Sequence, residues 1–110
     1  MKKNKPFVSI ITPNYNGDRY LLETLKSIFN QSNQDFEYIV LDGGSKDNSK
    51  NILKKYKKKI NQLVIKKDKG MYDAVEKGIR MAKGKVIIWI NSDDLLHPKA
   101  VENVTNIFKA

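Results

Sequence analysis

Four short apolar segments alternate with four amphipathic segments along this chain, and that alternation limits the folds it can adopt. The apolar segments are rich in β-branched and aromatic residues, as β-strands are, and they cover residues 7–11, 36–41, 63–65 and 85–90. An alternation of strands and helices is typical of a parallel sheet with right-handed crossovers and helices on both faces. We therefore predict an α/β domain with about four parallel strands in the order 3-2-1-4.

The segments between these strands have the apolar spacing of amphipathic helices. Asp18 is expected to cap the first helix, which should run to about Gln31. Gly84 is expected to end the third helix, and Pro98 to begin the last. The side chains predicted to face the core are Leu21, Leu25, Ile28 and Phe29 in the first helix, Ile52, Leu53, Tyr56 and Ile60 in the second, Met71, Val75, Ile79 and Ala82 in the third, and Val101, Val104 and Phe108 in the last.

Length and composition indicate a single domain over residues 1–110. A chain of this size buries roughly 65% of its unfolded surface, which is enough for a modest core. The chain contains no cysteine, which excludes disulfides and cysteine-ligated zinc and favours a reducing compartment such as the cytoplasm. The apolar run after the basic amino terminus is too short for a signal peptide or a membrane span, so neither is expected.

Lysine dominates the charge of the chain, which has 21 basic and 12 acidic residues and a formal net charge of +9. Such a surface attracts anions in general, including nucleic acids, acidic lipid headgroups and phosphorylated small molecules. The densest run of lysines, within residues 54–59, is typical of a solvated helix face. Phe7, Phe36, Trp89 and Phe108 are all expected in the core, which leaves no aromatic platform, so no nucleic-acid partner is expected.

Polar residues follow three of the four predicted strands. The fourth strand, residues 85–90, has no polar alternation, which predicts a central strand buried on both faces, and it ends on residues 91–94, Asn-Ser-Asp-Asp. Residues 12–16 follow the first strand as a turn-rich loop, and residues 42–45 follow the second. Because ligands of parallel α/β sheets bind outside the carboxyl ends of the strands, these three loops predict one binding site. The simpler alternative is that the acids only turn the chain and cap a helix.

The predicted site lacks the glycine-rich phosphate loops of dinucleotide-binding and P-loop proteins, since neither G-x-G-x-x-G nor GK[ST] occurs. Carboxylates suit ribose hydroxyls and nucleobase N–H groups, and a carboxylate-bound divalent cation can hold a diphosphate. The residues thus favour a nucleotide ligand. The alternative function is that of a non-catalytic basic domain that binds nucleotides or nucleic acid.

Three motifs together resemble a known family. They are residues 8–16 (VSIITPNYN), residues 42–49 (DGGSKDNS) and residues 91–94 (NSDD), in this order on strand ends. From Phe7 onward the chain resembles the N-terminal, nucleotide-sugar-binding half of family 2 glycosyltransferases, which have the Rossmann-like GT-A fold. Residues 68–74 (DKGMYDA) further resemble bacterial members that build surface polysaccharides.

The resemblance implies a role for each matching position in binding a nucleotide-diphosphate sugar, with a UDP-sugar expected. Thr12, Pro13 and Tyr15 would line the pocket for the base and ribose, and Asp42 would accept hydrogen bonds from the uracil or ribose. Since acids in strand-end loops rarely hold a core, Asp42 is expected to matter for binding more than for stability. The implied nucleotide-sugar-binding residues are Thr12, Pro13, Tyr15, Asp42, Gly43, Ser45, Lys69, Asp73, Asn91, Ser92 and Asp93.

The family's DxD motif corresponds to residues 91–93 of this chain. By that resemblance Asp93, with Asp94, would hold Mg²⁺ or Mn²⁺ against the diphosphate, and Lys69 would meet the phosphates. The chain departs from the family pattern at Asn91, which replaces the first acid of DxD and brings no charge to the metal. It departs again at Gly43, where many members have a second acid, so the contact to the base rests on Asp42 alone.

Catalysis by this family implies a carboxylate general base that deprotonates the acceptor hydroxyl in an inverting displacement. The base and the acceptor site are expected beyond residue 110, in a second half of the enzyme. Asp73 and Glu76 are the remaining acids near the site that could act as the base. The alternative is that both are helix-surface acids beside lysines. A glycan or a lipid-linked acceptor is expected, with peripheral contact to the cytoplasmic membrane leaflet and self-association beside residues 85–90.

Overall fold

The computed structural model describes residues 5–109, which form a four-stranded sheet with helices on both faces. The elements are, in chain order, β1 (Val8–Asn14), α1 (Asp18–Phe29), β2 (Phe36–Asp42), α2 (Ser49–Lys55), a 3-10 turn (Lys57–Lys59), β3 (Gln62–Ile65), α3 (Met71–Met81), β4 (Val86–Trp89) and α4 (Ala100–Lys109). Within the described range, every helix is too short or too polar to cross a lipid bilayer.

All neighbouring strands are parallel, in the order β3-β2-β1-β4, which confirms the predicted fold class and strand order. Successive side chains of β1 point to opposite faces of the sheet. Ile10 joins the larger core cluster, which includes residues of α1, α2 and α4, whereas Ile11 joins a smaller cluster with α3. The helices therefore cover both faces, as predicted.

The first strand is longer than predicted and shortens the loop that follows it. β1 continues in register with β2 through residues 12–14, which the sequence assigns to a turn. The chain turns at Asn16, whose φ of 53° lies in the left-handed region that asparagine tolerates. Gly17 is the residue before α1, so Asp18 is the first helical residue and not the cap, and the helix ends at Phe29.

β4 is an edge strand, which corrects the prediction of a central strand buried on both faces. Among the described strands it pairs only with β1, and its side chains alternate in exposure. Ile87 and Trp89 are 38% and 42% exposed because α3 packs mainly over β1 and β2. Half of this uninterrupted apolar run therefore forms an exposed apolar surface.

α3 buries Val75, as predicted, but the face that it presents to the sheet differs in part from the predicted one. Ala74, Val75 and Gly78 are buried, whereas Met71 and Ile79 are about half exposed. A Cβ at Gly78 would lie 2.7 Å from a methyl group of β1, so the backbone of the helix approaches the sheet at that point. Small residues, not the largest apolar ones, therefore set the orientation of α3.

Two further expectations about the last third of the chain are wrong. Gly84 does not end α3 but packs against β1, where a Cβ would lie 2.7 Å from the backbone nitrogen of Ser9. α4 buries Val101 and Thr105 but leaves Phe108 exposed, because the final turn lies past the packed core, beside a surface cavity. An apolar residue at helical spacing is therefore buried only where another element covers it.

Candidate functional site

The carboxyl ends of β1 and β4 open onto a cavity of about 470 Å³. The residues that line it are Pro13, Asn14, Tyr15, Asn16, Gly17, Arg19, Tyr20, Asp68, Gly70, Met71, Ala74, Asn91, Ser92 and Asp93. Two of the three loops predicted to form the site thus reach the cavity, namely those after β1 and β4. The loop after β2 does not reach the cavity, whereas residues of the loop after β3 line it.

The loop after β2 lies behind the cavity because Asp42 holds it there. The Asp42 side chain is buried, and its Oδ1 accepts hydrogen bonds from the backbone N–H groups of Gly44 and Ser45 at 2.9 and 2.8 Å. Its Oδ2 accepts from the Ser45 hydroxyl at 2.7 Å and from Nδ2 of Asn14 at 2.9 Å. A carboxylate offers about four acceptor positions, so Asp42 is saturated within the chain.

Ser45 and Asn16 extend this hydrogen-bonded network to the loop after β1. The Ser45 hydroxyl accepts from the Asn16 N–H at 2.8 Å, and Oδ1 of Asn16 accepts from the Lys46 N–H at 2.8 Å. Ser45 and Gly43 are both buried, and neither is among the residues that line the cavity. Their predicted contact with a nucleotide stays a prediction, and their observed role is to join two loops.

The first turns of α1 and α2 exchange hydrogen bonds through two carboxylates. Asp47 accepts from the backbone N–H of Asp18, and Asp18 accepts from that of Asn48, both at 3.0 Å. Partial burial raises the pKa of Asp47, but the hydrogen bonds from Asp18 and Ser49 lower it more, so the net pKa lies below its ordinary value. The charged form of Asp47 therefore stabilises the junction of the two helices.

Thr12 faces the core and is not among the residues that line the cavity, so its predicted contact with the base and ribose stays a prediction. Its side chain is fully buried, and its Oγ1 accepts a hydrogen bond from the Tyr38 hydroxyl at 2.8 Å. Burial raises the pKa of that hydroxyl far above its ordinary value, so Tyr38 stays a donor. Pro13 and Tyr15 do line the cavity, and the Tyr15 ring is 59% exposed.

Residues 91–94 form a tight turn that presents one acid to the cavity. The Asp94 N–H donates to the carbonyl of Asn91 at 3.1 Å. The Thr24 hydroxyl of α1 fixes the turn by sharing its one proton between the carbonyls of Ser92 and Asp94, at 2.9 and 2.7 Å. Asp93 lines the cavity together with the two residues before it, whereas Asp94 is exposed outside the lining.

The oxygen atoms of this turn are suitable ligands for a hard divalent cation that also binds a phosphate. Asp93 offers an exposed carboxylate, and Oδ1 of Asn91 keeps an acceptor position beside its 2.8 Å hydrogen bond from the Trp89 indole. Within residues 5–109, no three acidic, histidine or cysteine side chains gather into a complete metal cage. Mg²⁺ is commonly held by one or two carboxylates and substrate phosphates, and oxygen ligands suit Mn²⁺ too, so the fit depends on a phosphorylated ligand.

The loop after β3 brings Asp68 to the cavity and leaves Lys69 and Asp73 outside its lining. Asp68 accepts from the Gly70 N–H at 2.9 Å, and Asp73 accepts from the Lys69 N–H at 2.8 Å. The hydrogen bond from Lys69, with the Lys77 ammonium 3.5 Å away, lowers the pKa of Asp73. With a lowered pKa, Asp73 is better suited to stabilise the first turn of α3 than to accept a proton.

Arg19, Tyr20 and Asp68 are among the lining residues that are not predicted from the sequence as site residues. Arg19 is the one basic residue among those that line the cavity, and its guanidinium lies 5.3 Å from the centre of the Tyr20 ring. Arg19 and Tyr20 lie a few residues after the polar loop that follows β1. On an amphipathic helix, this position is only a weak signal of a binding site. Asp68 follows β3, and a carboxylate after a strand is the same signal that identifies Asp93.

Comparison with known proteins then decides the family. Residues 9–110 match the family model described as Glycosyl transferase family 2. This chain belongs to that family. An uncharacterized glycosyltransferase of Rickettsia prowazekii is 39% identical over 109 residues, which are 97% of this chain and 34% of that protein. The poly(ribitol-phosphate) beta-N-acetylglucosaminyltransferase TarP of Staphylococcus aureus is 36% identical over 107 residues, which are 93% of this chain and 33% of that protein.

A solved structure supports the same assignment. Residues 1–349 of S. aureus TarS, in complex with UDP-GlcNAc, superimpose with a TM-score of 0.83 at 25% identity, covering 93% of this chain and 31% of that one. The sheet order and helices of this family 2 chain are thus those of the Rossmann-like GT-A fold. The chain spans about a third of the length of these two curated relatives.

Proposed function

We propose that this family 2 chain is the donor-binding half of an inverting glycosyltransferase and that its cavity binds a nucleotide-diphosphate sugar, specifically a UDP-sugar. The observation that carries the proposal is the convergence of Tyr15, Arg19 and Asp93 on one cavity. An exposed ring can stack on a base, a guanidinium can meet phosphate, and a carboxylate can bind a hydroxyl or a divalent cation. The bound UDP-GlcNAc of TarS supports this ligand class.

The proposed pocket for the base and ribose lies at the end of β1. Pro13 and Tyr15 line it directly. Thr12, Asp42 and Ser45 do not line the pocket but hold β1 and the neighbouring loop in place through hydrogen bonds. Binding therefore depends on these three residues through the shape of the loop.

The proposed diphosphate site combines Arg19 with the turn after β4. Arg19 lines the cavity and is better placed than Lys69 to meet a phosphate. Mg²⁺ or Mn²⁺, held by Asp93 with Asp94 beside it, would neutralise the charge that develops on the departing nucleoside diphosphate. Asn91 and Ser92 would orient ribose or phosphate oxygens from the same turn.

The proposed general base lies outside the described residues. Asp73 stabilises the start of α3, and Glu76 pairs with Arg80 at 3.0 Å on the exposed side of that helix. Neither acid lines the cavity. Because relatives are about three times as long as the matched segment, we expect the base and the acceptor site in the remainder of such an enzyme.

The proposed setting of the whole enzyme is polysaccharide synthesis at the cytoplasmic face of a membrane. The acceptor would be a glycan or a lipid-linked saccharide. The name of TarP includes poly(ribitol-phosphate), which supports a polymeric acceptor. The net charge of +9 would draw the protein to an anionic leaflet and steer an anionic donor toward it. The exposed side of β4 would allow self-association.

The lysine-rich surface does not favour nucleic acid as the ligand. Lys55 lies 5.7 Å from the ring centre of Tyr56, and Lys59 lies 5.4 Å from that of Phe29. The rings nearest the lysine run therefore have one face covered by a lysine side chain and the body of the ring packed against the core. Such rings are poor platforms for base stacking.

Calorimetric titration of the chain with UDP, with and without Mn²⁺, tests the proposed function. We expect binding that requires the cation and weakens about tenfold or more in Asp93→Asn, because a charged ligand group is lost. Asp35→Asn is the matched control, since it removes one acid immediately before β2, at the opposite end of the sheet. Metal-independent binding, an equal loss in both variants, or sequence-selective duplex binding at physiological salt would contradict the proposal.

A further inference from the structure

Asp68 is a carboxylate of the cavity that the proposed function leaves unused. Two acids line the cavity, Asp68 and Asp93, and they come from the loops after β3 and β4. Asp93 belongs to the turn proposed for the diphosphate, and the acceptor positions of Asp42 are filled within the chain. Asp68 is therefore the acid that remains available to another part of the ligand.

Gly43 makes room for the Asp68 carboxylate beside the loop after β2. A Cβ at Gly43 would lie 2.9 and 3.0 Å from the two carboxylate oxygens of Asp68, so close that the carboxylate would have to move. Gly43 does not have a left-handed φ, so the turn itself does not require glycine there. The absence of a side chain at Gly43 thus lets a carboxylate from the loop after β3 occupy that place.

The Asp68 carboxylate has acceptor capacity left. Its Oδ1 accepts from the Gly70 N–H at 2.9 Å, which orients the group at the start of α3. Across residues 5–109, no side chain forms a salt bridge with Asp68, and no hydrogen bond reaches its Oδ2. The side chain is half-buried and lines the cavity, so this oxygen can be reached by a bound ligand.

We propose that Asp68 selects the nucleobase by accepting a hydrogen bond from a ring N–H, an inference that rests on the proposed function. An ionised carboxylate only accepts hydrogen bonds. Uracil presents a ring N–H on its Watson–Crick edge and so does guanine, whereas cytosine and adenine present a ring nitrogen that also only accepts. Asp68 therefore favours uridine or guanosine diphosphates and disfavours those of cytidine and adenosine.

The substitution Asp68→Asn tests this selection. The amide keeps an oxygen for the Gly70 N–H but turns the other end of the group into a donor. We expect the affinity for UDP to fall about tenfold while that for CDP holds or rises, so that the preference for UDP over CDP is lost. GDP, titrated in parallel, identifies which of the two N–H bases the wild type prefers. Asp35→Asn should keep the wild-type preference.

Gly43→Ala provides a second test that leaves Asp68 in place. The added methyl group would push the carboxylate out of its position, and the ordinary φ of Gly43 keeps the strain on the backbone small. We expect a smaller preference for UDP over CDP with little change in the melting temperature. Circular dichroism of both variants shows whether they are folded.

The outcomes separate this inference from the proposed function. Lost base preference in folded Asp68→Asn, with the cation requirement intact, supports the role of Asp68. Metal-dependent UDP binding with an unchanged preference in that variant overturns it and leaves the proposed function standing. An equal loss of UDP and CDP affinity also overturns it, because that result reports a change in loop shape. Absence of binding of any nucleotide to the wild type contradicts both.

Discussion

Asp42 illustrates how a single residue can hold a binding site without lining it. Its buried carboxylate accepts four hydrogen bonds and joins the end of β1 to the loop after β2. The expectation that an acid in a strand-end loop matters little for stability does not fit this geometry, because the group is buried and all its partners are donors. Asp42 is a positioning residue for the wall of the cavity.

We predict that Asp42→Asn destabilises the chain. In the amide, an NH₂ group that donates would face the donor groups of Asn14 and Ser45. Such a buried mismatch costs about 1–3 kcal/mol. For a domain of this size, that loss lowers the melting temperature by roughly 4–8 °C for each kcal/mol. Thermal unfolding followed by circular dichroism measures it, with Asp35→Asn as the control. A melting temperature of Asp42→Asn equal to that of the wild type would show that the network carries little stability.

The sequence predicts which strand ends meet but not which side chains face the cavity. Pro13, Tyr15 and Asp93 are found in the cavity because they lie at or just after the carboxyl ends of adjacent strands. Thr12 lies one residue earlier and therefore faces the core. Asp68 carries the same signal as Asp93, a carboxylate after a strand, but its position also depends on the missing side chain at Gly43, a contact between residues distant in sequence.

At the element scale, the paired carboxylates of Asp18 and Asp47 connect the first turns of α1 and α2. A carboxylate near a helix N-terminus is stabilised by the free backbone N–H groups and the helix dipole. Here each acid accepts a hydrogen bond at the start of the other helix, and Asp47 also accepts one from Ser49 of its own helix. The two helices are therefore fixed relative to each other beside the loops that support the cavity.

We predict that this junction makes stability depend on pH through Asp47. Its pKa is lowered in the folded chain, so its contribution is present above the unfolded value of about 3.9 and disappears as the pH falls through the folded value. Asp47→Asn should therefore lower the melting temperature at pH 7, and the deficit should shrink toward pH 3. Melting curves at both pH values test this, with Asp35→Asn in parallel. A deficit that is the same at pH 7 and pH 3 would contradict the prediction.

The helices also show which part of an amphipathic pattern is decisive. Leu21, Leu25 and Ile28 of α1 are buried as predicted, because this helix lies over the sheet with apolar residues on one side. α3 instead turns its small residues inward, since Gly78 allows close approach to β1. Spacing predicts that a helix has an apolar face, but the contact distance decides which face is buried.

At the scale of the whole molecule, the sheet has one open apolar side. β4 pairs with β1 and, among the described strands, with no other. Ile87 and Trp89 are partly exposed there, and Tyr72 of α3 packs edge-on against Trp89 with ring centres 5.9 Å apart. A strand edge with unpaired backbone groups and exposed apolar side chains favours pairing with another chain.

We predict that the chain self-associates through this β4 surface. Ile87→Lys should shift the population toward monomer, because a charge at an exposed strand edge opposes strand pairing. Ile107→Lys is the matched control. Ile107 is 71% exposed on α4, so this substitution makes the same chemical change elsewhere on the surface. Sedimentation velocity over a range of concentrations measures the effect. A wild type that stays monomeric at every concentration, or a control that dissociates the assembly as strongly as Ile87→Lys, would show that β4 is not the interface.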